Sequence, residues 1–235
     1  MLTPQQPAER RNSIGASESP ADYHADHSRI SNSMMGDFLE SRLGYHGMYV
    51  AGTIPPTDPT RQMEFGTAGH LALLQPDLFS SLVIEIPAEV LSSNGSRAGK
   101  AWKQFEAENA GKLLMKAAEM ERIRGVREAI ILEGDTLAEH ELTWQDEMTG
   151  VRLKCLTDLI TECLGCRFLV DLKTTSHAYI SPKAFGPHGW KQGYARQMVH
   201  YEEGMAANEI PADNHFLIAV TTKPPYICAV HSYRE

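Results

Sequence analysis

Asp158, Asp171 and Lys173 are the residues of this chain whose types and spacing can build a hydrolytic centre. Asp171 and Lys173 flank Leu172, so on an extended strand their side chains project from the same face. Asp158 lies on the preceding strand-like run VRLKCLTDLI, and an antiparallel turn through CLGC brings it beside the other two. Two carboxylates converging on one point repel each other unless a cation or a shared proton intervenes, which suggests an oxygen-liganded Mg²⁺ or Mn²⁺. A lysine beside such an ion can orient a water or offset charge in a transition state. Taken without its surroundings, Asp-x-Lys is far more often a solvent-facing ion pair on an edge strand, which contributes little energetically.

The elements that must position these groups are legible from periodicity. AEHELTWQ, VRLKCLTDLI and RFLVDLKTT alternate or run apolar in strand fashion, with DEMTG and ECLGC as turns, which predicts a three-stranded meander. HFLIAVTT and YICAVHSY, hinged at KPPY, predict two further strands, and GWKQGYARQMVHYEEGMAANE predicts a helix between meander and final strands. Upstream, SNSMMGDFLESRL reads as a short amphipathic helix capped by serine, and GTIPPTDPT breaks regular structure. A helix RQMEFGTAGHLALLQ follows and ends before Pro76; its small residues Gly66, Ala68 and Gly69 beside His70 permit close approach of a backbone or ligand. SLVIEIP reads as a strand, SSNGSRAG as a loop, and Lys100 to about Leu132 as one long helix or two joined near Gly125.

Residues 1 to about 22 are rich in Pro, Ser, Gln, Glu and Arg with few large apolar groups, and read as a flexible leader before one domain over 23–235. At 42% hydrophobic residues the remainder can form a normal core. No apolar run is long enough for a membrane span, and the N-terminus lacks the apolar stretch of a secretory signal. Cys155, Cys163, Cys166 and Cys228 do not form a dense disulfide framework, so thiols in a reducing, cytoplasmic setting are expected. Thirty acidic against 22 basic residues give a net charge of -8, so no global positive field attracts nucleic acid. A bound divalent ion and a local basic track would offset this.

The strings GTAGHLALLQPDLF, RAGKAWKQF, HELTWQDEMTGVRLKCLTDLI and FLVDLKTT, with a helix carrying Gln197 and Tyr201, resemble RecE-type exonuclease VIII nucleases from about Tyr23 to Tyr233. The resemblance implies an α/β PD-(D/E)XK nuclease fold, a central mixed sheet flanked by helices, and metal-dependent hydrolysis of DNA from duplex ends, typically 5′ to 3′. It assigns His70, Asp158, Asp171 and the Leu172 carbonyl to the metal and Lys173 to catalysis, and aligns Glu141 with a glutamate near the metal. Gln197 and Tyr201, four apart on one helical face, match a Gln-x-x-x-Tyr motif that contacts the DNA backbone; Tyr201 also fits a packing stripe with Tyr194, Met198 and Met205. Arg97, Lys100 and Lys103 form a candidate phosphate contact at a loop and helix start, or a solvated charged face. The resemblance further implies a ring-shaped homo-oligomer threaded by DNA and a single-strand annealing partner in recombination of phage type.

The chain departs from the pattern at Leu156, where the family carries a basic residue two positions before the metal aspartate. Loss of that phosphate contact would lower activity or alter substrate choice. A restriction-like or structure-selective endonuclease, or a catalytically weak DNA-end-binding protein, are the competing readings. Cys163-Leu-Gly-Cys166 has half-zinc-knuckle spacing but is explained by a hairpin turn. GSRAGKAW has neither the glycine spacing nor the hydroxyl of a phosphate-binding loop, and no Ser or Cys stands in a nucleophile elbow.

Overall fold

A computed structural model describes residues 15–16, 20–55, 57–131 and 136–232. A two-residue strand β1 (Gly15–Ala16) and helix α1 (Pro20–Ala25) precede α2 (Asn32–Glu40), so of the expected leader 1–14 and 17–19 lie outside the described residues. Ser31 caps α2, its side chain accepting from the Met34 N–H. The run read as one helix breaks at Ser41, which adopts extended geometry and caps α3 (Arg42–Tyr45) through the Gly44 N–H; α3 continues as a π-helical turn, His46–Val50. Thr60 caps α4 (Arg61–Leu74), and Pro76 begins α5 (Pro76–Leu82), where its missing N–H costs nothing.

β2 (Val83–Glu85) pairs in parallel with β3 (Leu113–Met115), and β3 separates α6 (Lys100–Glu108) from α7 (Ala117–Glu128). The expected long helix is therefore corrected: Gly111 takes a positive φ at the turn after α6, and Leu114 and Met115 are buried as strand residues. Gly125 is no junction but lies inside α7, where the Tyr226 ring occupies the space a side chain would need.

The meander forms as read: β4 (Thr136–Gln145), β5 (Arg152–Cys163) and β6 (Cys166–Thr175) pair antiparallel in sequence. Asp146 closes the first turn by accepting the Thr149 N–H and hydroxyl. In the second, Leu164 and Gly165 both have positive φ, as a two-residue hairpin between right-twisted strands requires, and Cys163 faces Cys166 as free thiols. The single helix expected from Gly189 is instead two, α8 (Pro182–Lys191), which begins before it, and α9 (Tyr194–Ala207), separated at Gly193 with its positive φ of 74°. Strand β7 (Asn214–Thr221) then joins β6 in parallel, and β8 (Cys228–Ser232) closes the sheet antiparallel to it, giving the order β1-β4-β5-β6-β7-β8.

Helices cover both faces of this mixed sheet. Leu142, Cys155, Ile160 and Leu169 pack against Met198 and Met205 of α9; Leu159, Leu172 and Val220 pack against Leu74 of α4 and Val126 of α7. The alternation is broken in the middle of the meander. Cys155 and Ile160, an odd number apart, share one face, whereas Ala138 and Leu142, an even number apart, lie on opposite faces. Both strands thus change facing near Glu139 and Asp158. Among the described residues no helix is long and apolar enough to cross a membrane.

Candidate active site

The change of facing creates the site. The β5–β6 ladder ends at the Leu159–Val170 pair, and beyond it the Asp158 side chain replaces backbone pairing, its Oδ2 accepting the Leu172 N–H at 2.7 Å. On the other side, Glu139 stands opposite Asp158 in register but takes a positive φ of 49°, and this position is skipped in the β4–β5 ladder. A glutamate in the left-handed region is strained. Here that geometry aims its carboxylate at Asp158 rather than continuing the sheet.

His70, on α4, completes the group. Its Nε2 lies 3.0 Å from the Leu172 carbonyl oxygen, which can only accept, so Nε2 donates there and Nδ1 is the ring nitrogen left to face the carboxylates. That nitrogen is 3.7 Å from Asp158 Oδ2. Ligand atoms of His70, Glu139 and Asp158 all lie within 4.8 Å of one another, and no other such cluster occurs among the described residues. They open onto a cavity of about 320 Å³ also lined by Leu156, Gln197 and Tyr201.

Asp171 and Lys173 share a face of β6, with Lys173 Nζ 2.6 Å from Asp171 Oδ2. Asp171 is fully buried and its Oδ1 has no hydrogen-bond partner. Lys173 Nζ donates to Gln197 Oε1 at 3.1 Å and lies over the Tyr194 ring, and Gln197 Nε2 donates to Tyr201 Oη at 2.7 Å. The four-residue spacing of Gln197 and Tyr201 thereby becomes a relay that holds the lysine.

The chain's residues 31–234 match the family described as a PDDEXK-like domain of unknown function, DUF3799. The chain belongs to this family. Membership and fold place it in the PD-(D/E)XK nuclease superfamily; RecE kinship in particular rests on the sequence resemblance. A solved structure of a candidate exonuclease from Eubacterium rectale shares the fold, with a TM-score of 0.55 at 15% identity over 93% of this chain and 78% of that one. A second solved structure, SSO0001, matches at 14% identity over 73% of this chain and 76% of that one, and its TM-score of 0.33 carries no argument. No curated protein matches the chain.

Electrostatics of this PDDEXK-like domain follow from crowding acids in a buried space. Burial, reinforced by Asp158 and Asp171, pushes Glu139 up to about 8. Burial also pushes Asp171 up to about 6 against the pull of Lys173. Burial alone would lower Lys173, but Asp171 and Asp158 outweigh it and hold the ammonium above its ordinary value, hence charged. The donor set fits a divalent cation: an imidazole nitrogen, two facing carboxylates and a buried carboxylate oxygen without a partner.

Not every residue expected at the site is there. Glu141 falls outside the metal-ligand cluster, which has Glu139 instead; Glu141 lies opposite Leu156 and near the charge of Lys154. The Leu172 carbonyl is engaged by His70. Arg97 is paired with Glu119 at 2.8 Å, and neither it nor exposed Lys100 and Lys103 line the cavity. The sequence reading also missed the wall formed by Tyr23, His24 and Asn32. Buried Lys154 anchors it, its Nζ donating to the carbonyl oxygens of Tyr23 and Asp26. Apolar Leu156 stands in the same wall, so the departure from the family pattern leaves no cation at that position.

Proposed function

We propose that the chain is a Mg²⁺- or Mn²⁺-dependent deoxyribonuclease that hydrolyses phosphodiester bonds from duplex DNA ends. The observation that carries this reading is the set of buried Asp158 and Asp171 with half-buried Lys173, and His70 and Glu139 converging on one open cavity. His70, Glu139, Asp158 and Asp171 would hold the cation, which when bound polarises the scissile phosphate and acidifies a water. Lys173, kept charged by Asp171 and aimed by Gln197, is placed to donate to that water or to the oxygen on which negative charge grows. Tyr201, raised well above the usual phenol range mainly by burial, stays neutral and serves as a fixed donor and acceptor behind Gln197.

Action 5′ to 3′, a ring-shaped oligomer and an annealing partner in recombination extend the RecE resemblance and belong to the same proposal. The test is digestion of linear and covalently closed duplex DNA, with Mg²⁺, Mn²⁺ or EDTA, by the wild type and by Lys173→Ala. Loss of linear DNA alone, dependent on cation and on Lys173, is the expected result. Cutting of closed circles would replace the exonuclease by an endonuclease, and intact DNA under every condition would refute hydrolysis.

A further inference from the structure

Beside the catalytic cavity, α2, α8 and α9 leave a second groove of about 610 Å³ with an unusual lining for a protein surface. Trp190, at the end of α8, is 79% exposed, and Leu39, which also lines the groove, is 70% exposed. Arg196 lines the same groove. Its guanidinium is held rather than loose: Nε donates to Asn32 Oδ1 at 2.9 Å, and Gly36 and Gly193 clear the space for it. A Cβ on either glycine would come within about 3.0 Å of the terminal nitrogen. Among the described residues Arg196 forms no ion pair with a carboxylate.

Asn32 joins this groove to the site, because it also lines the catalytic cavity. The two cavities are therefore linked by one hydrogen bond, between Asn32 of the first and Arg196 of the second. We propose that this groove carries an unpaired DNA strand leaving or approaching the catalytic cavity, Arg196 contacting a phosphate and Trp190 stacking on a base. The inference rests on the nucleic-acid substrate of the proposed function. The oriented Arg196 guanidinium and its link through Asn32 to the catalytic cavity favour this occupant. A preoriented guanidinium without a carboxylate partner suits a phosphate, and an exposed indole is a sequence-tolerant stacking platform. Glu203 at the rim repels phosphate, which leaves Arg196 as the backbone contact and the indole face for the base. The groove also supplies a basic contact near the site, although Leu156 offers none.

The chain contains three tryptophans; Trp102 is buried and Trp144 half-buried, so exposed Trp190 is the one that a strand in the groove would quench. The experiment titrates wild-type protein in EDTA with a short oligodeoxythymidylate, following tryptophan fluorescence and the anisotropy of a labelled copy. Expected are saturable quenching, affinity about ten-fold weaker for Trp190→Ala with recovery in Trp190→Phe, and a salt dependence reduced by about one charge in Arg196→Gln. Oligonucleotide binding without quenching, and with unchanged affinity in Trp190→Ala, would overturn the assignment. So would sedimentation showing that Trp190→Ala dissociates an oligomer, since the groove would then be covered by a second copy. Quenching by the strand in a protein that hydrolyses no DNA under any cation would support the groove while refuting the nuclease.

Discussion

At neutral pH a carboxyl pushed up to about 8 is mostly protonated, so Glu139 enters cation binding as an acid that must release its proton. Without a cation, its raised value has a definite sign for stability. Below its ordinary value of 4.5 folded and unfolded chains are both protonated there; as pH rises towards 8 the unfolded chain ionises first and gains. Stability contributed by the neutral acid is thus lost across that window, with Asp171 adding to the loss up to about 6. Buried His140 and His200, held below their ordinary value by burial, push the other way at acid pH. The difference in melting temperature between wild type and Glu139→Gln in EDTA isolates the term: the variant gains relative stability between pH 5 and 8, on the order of a few kcal/mol. A pH-independent difference would show that Glu139 is not raised. In the presence of cation the same variant should lose at least about ten-fold in activity, whereas Glu141→Gln stays within about two-fold; equal losses would return Glu141 to the site. Lys173→Ala should cost about 100- to 1,000-fold in rate while the cation still binds, as read by cation-dependent thermal shift. Asp158, Asp171 and Lys173 were legible because period two and one turn suffice to assemble them. Glu139 was not, since Glu139 and Glu141 look equivalent on a regular strand and a left-handed glutamate leaves no mark in composition.

At the scale of elements, glycines separate positions where backbone approach is needed from those where it is not. A methyl group at Gly125 would overlap the Tyr226 ring at 2.1 Å, so Gly125→Ala should destabilise by about 1–3 kcal/mol despite its better helix propensity. At Gly69 the nearest atom, Thr174 Cγ2, is 3.7 Å away, an ordinary contact. Gly69→Ala in α4 should therefore stabilise by about 0.4–1 kcal/mol. Urea denaturation of the two variants checks both signs, and a stabilised Gly125→Ala would refute the α7–Tyr226 packing. Of the small residues near His70, Gly66 lines the cavity, whereas Ala68 and Gly69 are buried without a tight backbone crossing at Gly69. Helices and strands with a clear period, such as α4, α9 and the meander, were readable; β3 was not. Its three residues sit between two good helix-forming segments, and its identity depends on parallel pairing with β2 some thirty residues earlier, which no local pattern encodes.

For the molecule as a whole, the start of the domain is held from its interior. α1 and the chain after it are tied down by a buried ammonium: Lys154 needs the carbonyl oxygens of Tyr23 and Asp26. Deleting residues 1–30 would strand that charge, and a loss of about 3–5 kcal/mol in denaturant unfolding is expected, larger than for Lys154→Met, which removes the charge with its stem's volume kept. Equal stability of the truncated chain would show that the wall is dispensable. The same strand carries Cys155, sealed under α9 with its thiol pushed up by burial. Cys163 and Cys228 are exposed, so a thiol reagent should mark them quickly and then wait on Cys155. The delay is a stopwatch within the native chain: it times how often the sheet parts at the strand bearing Asp158, and a cation that grips the site should slow it in proportion to its affinity.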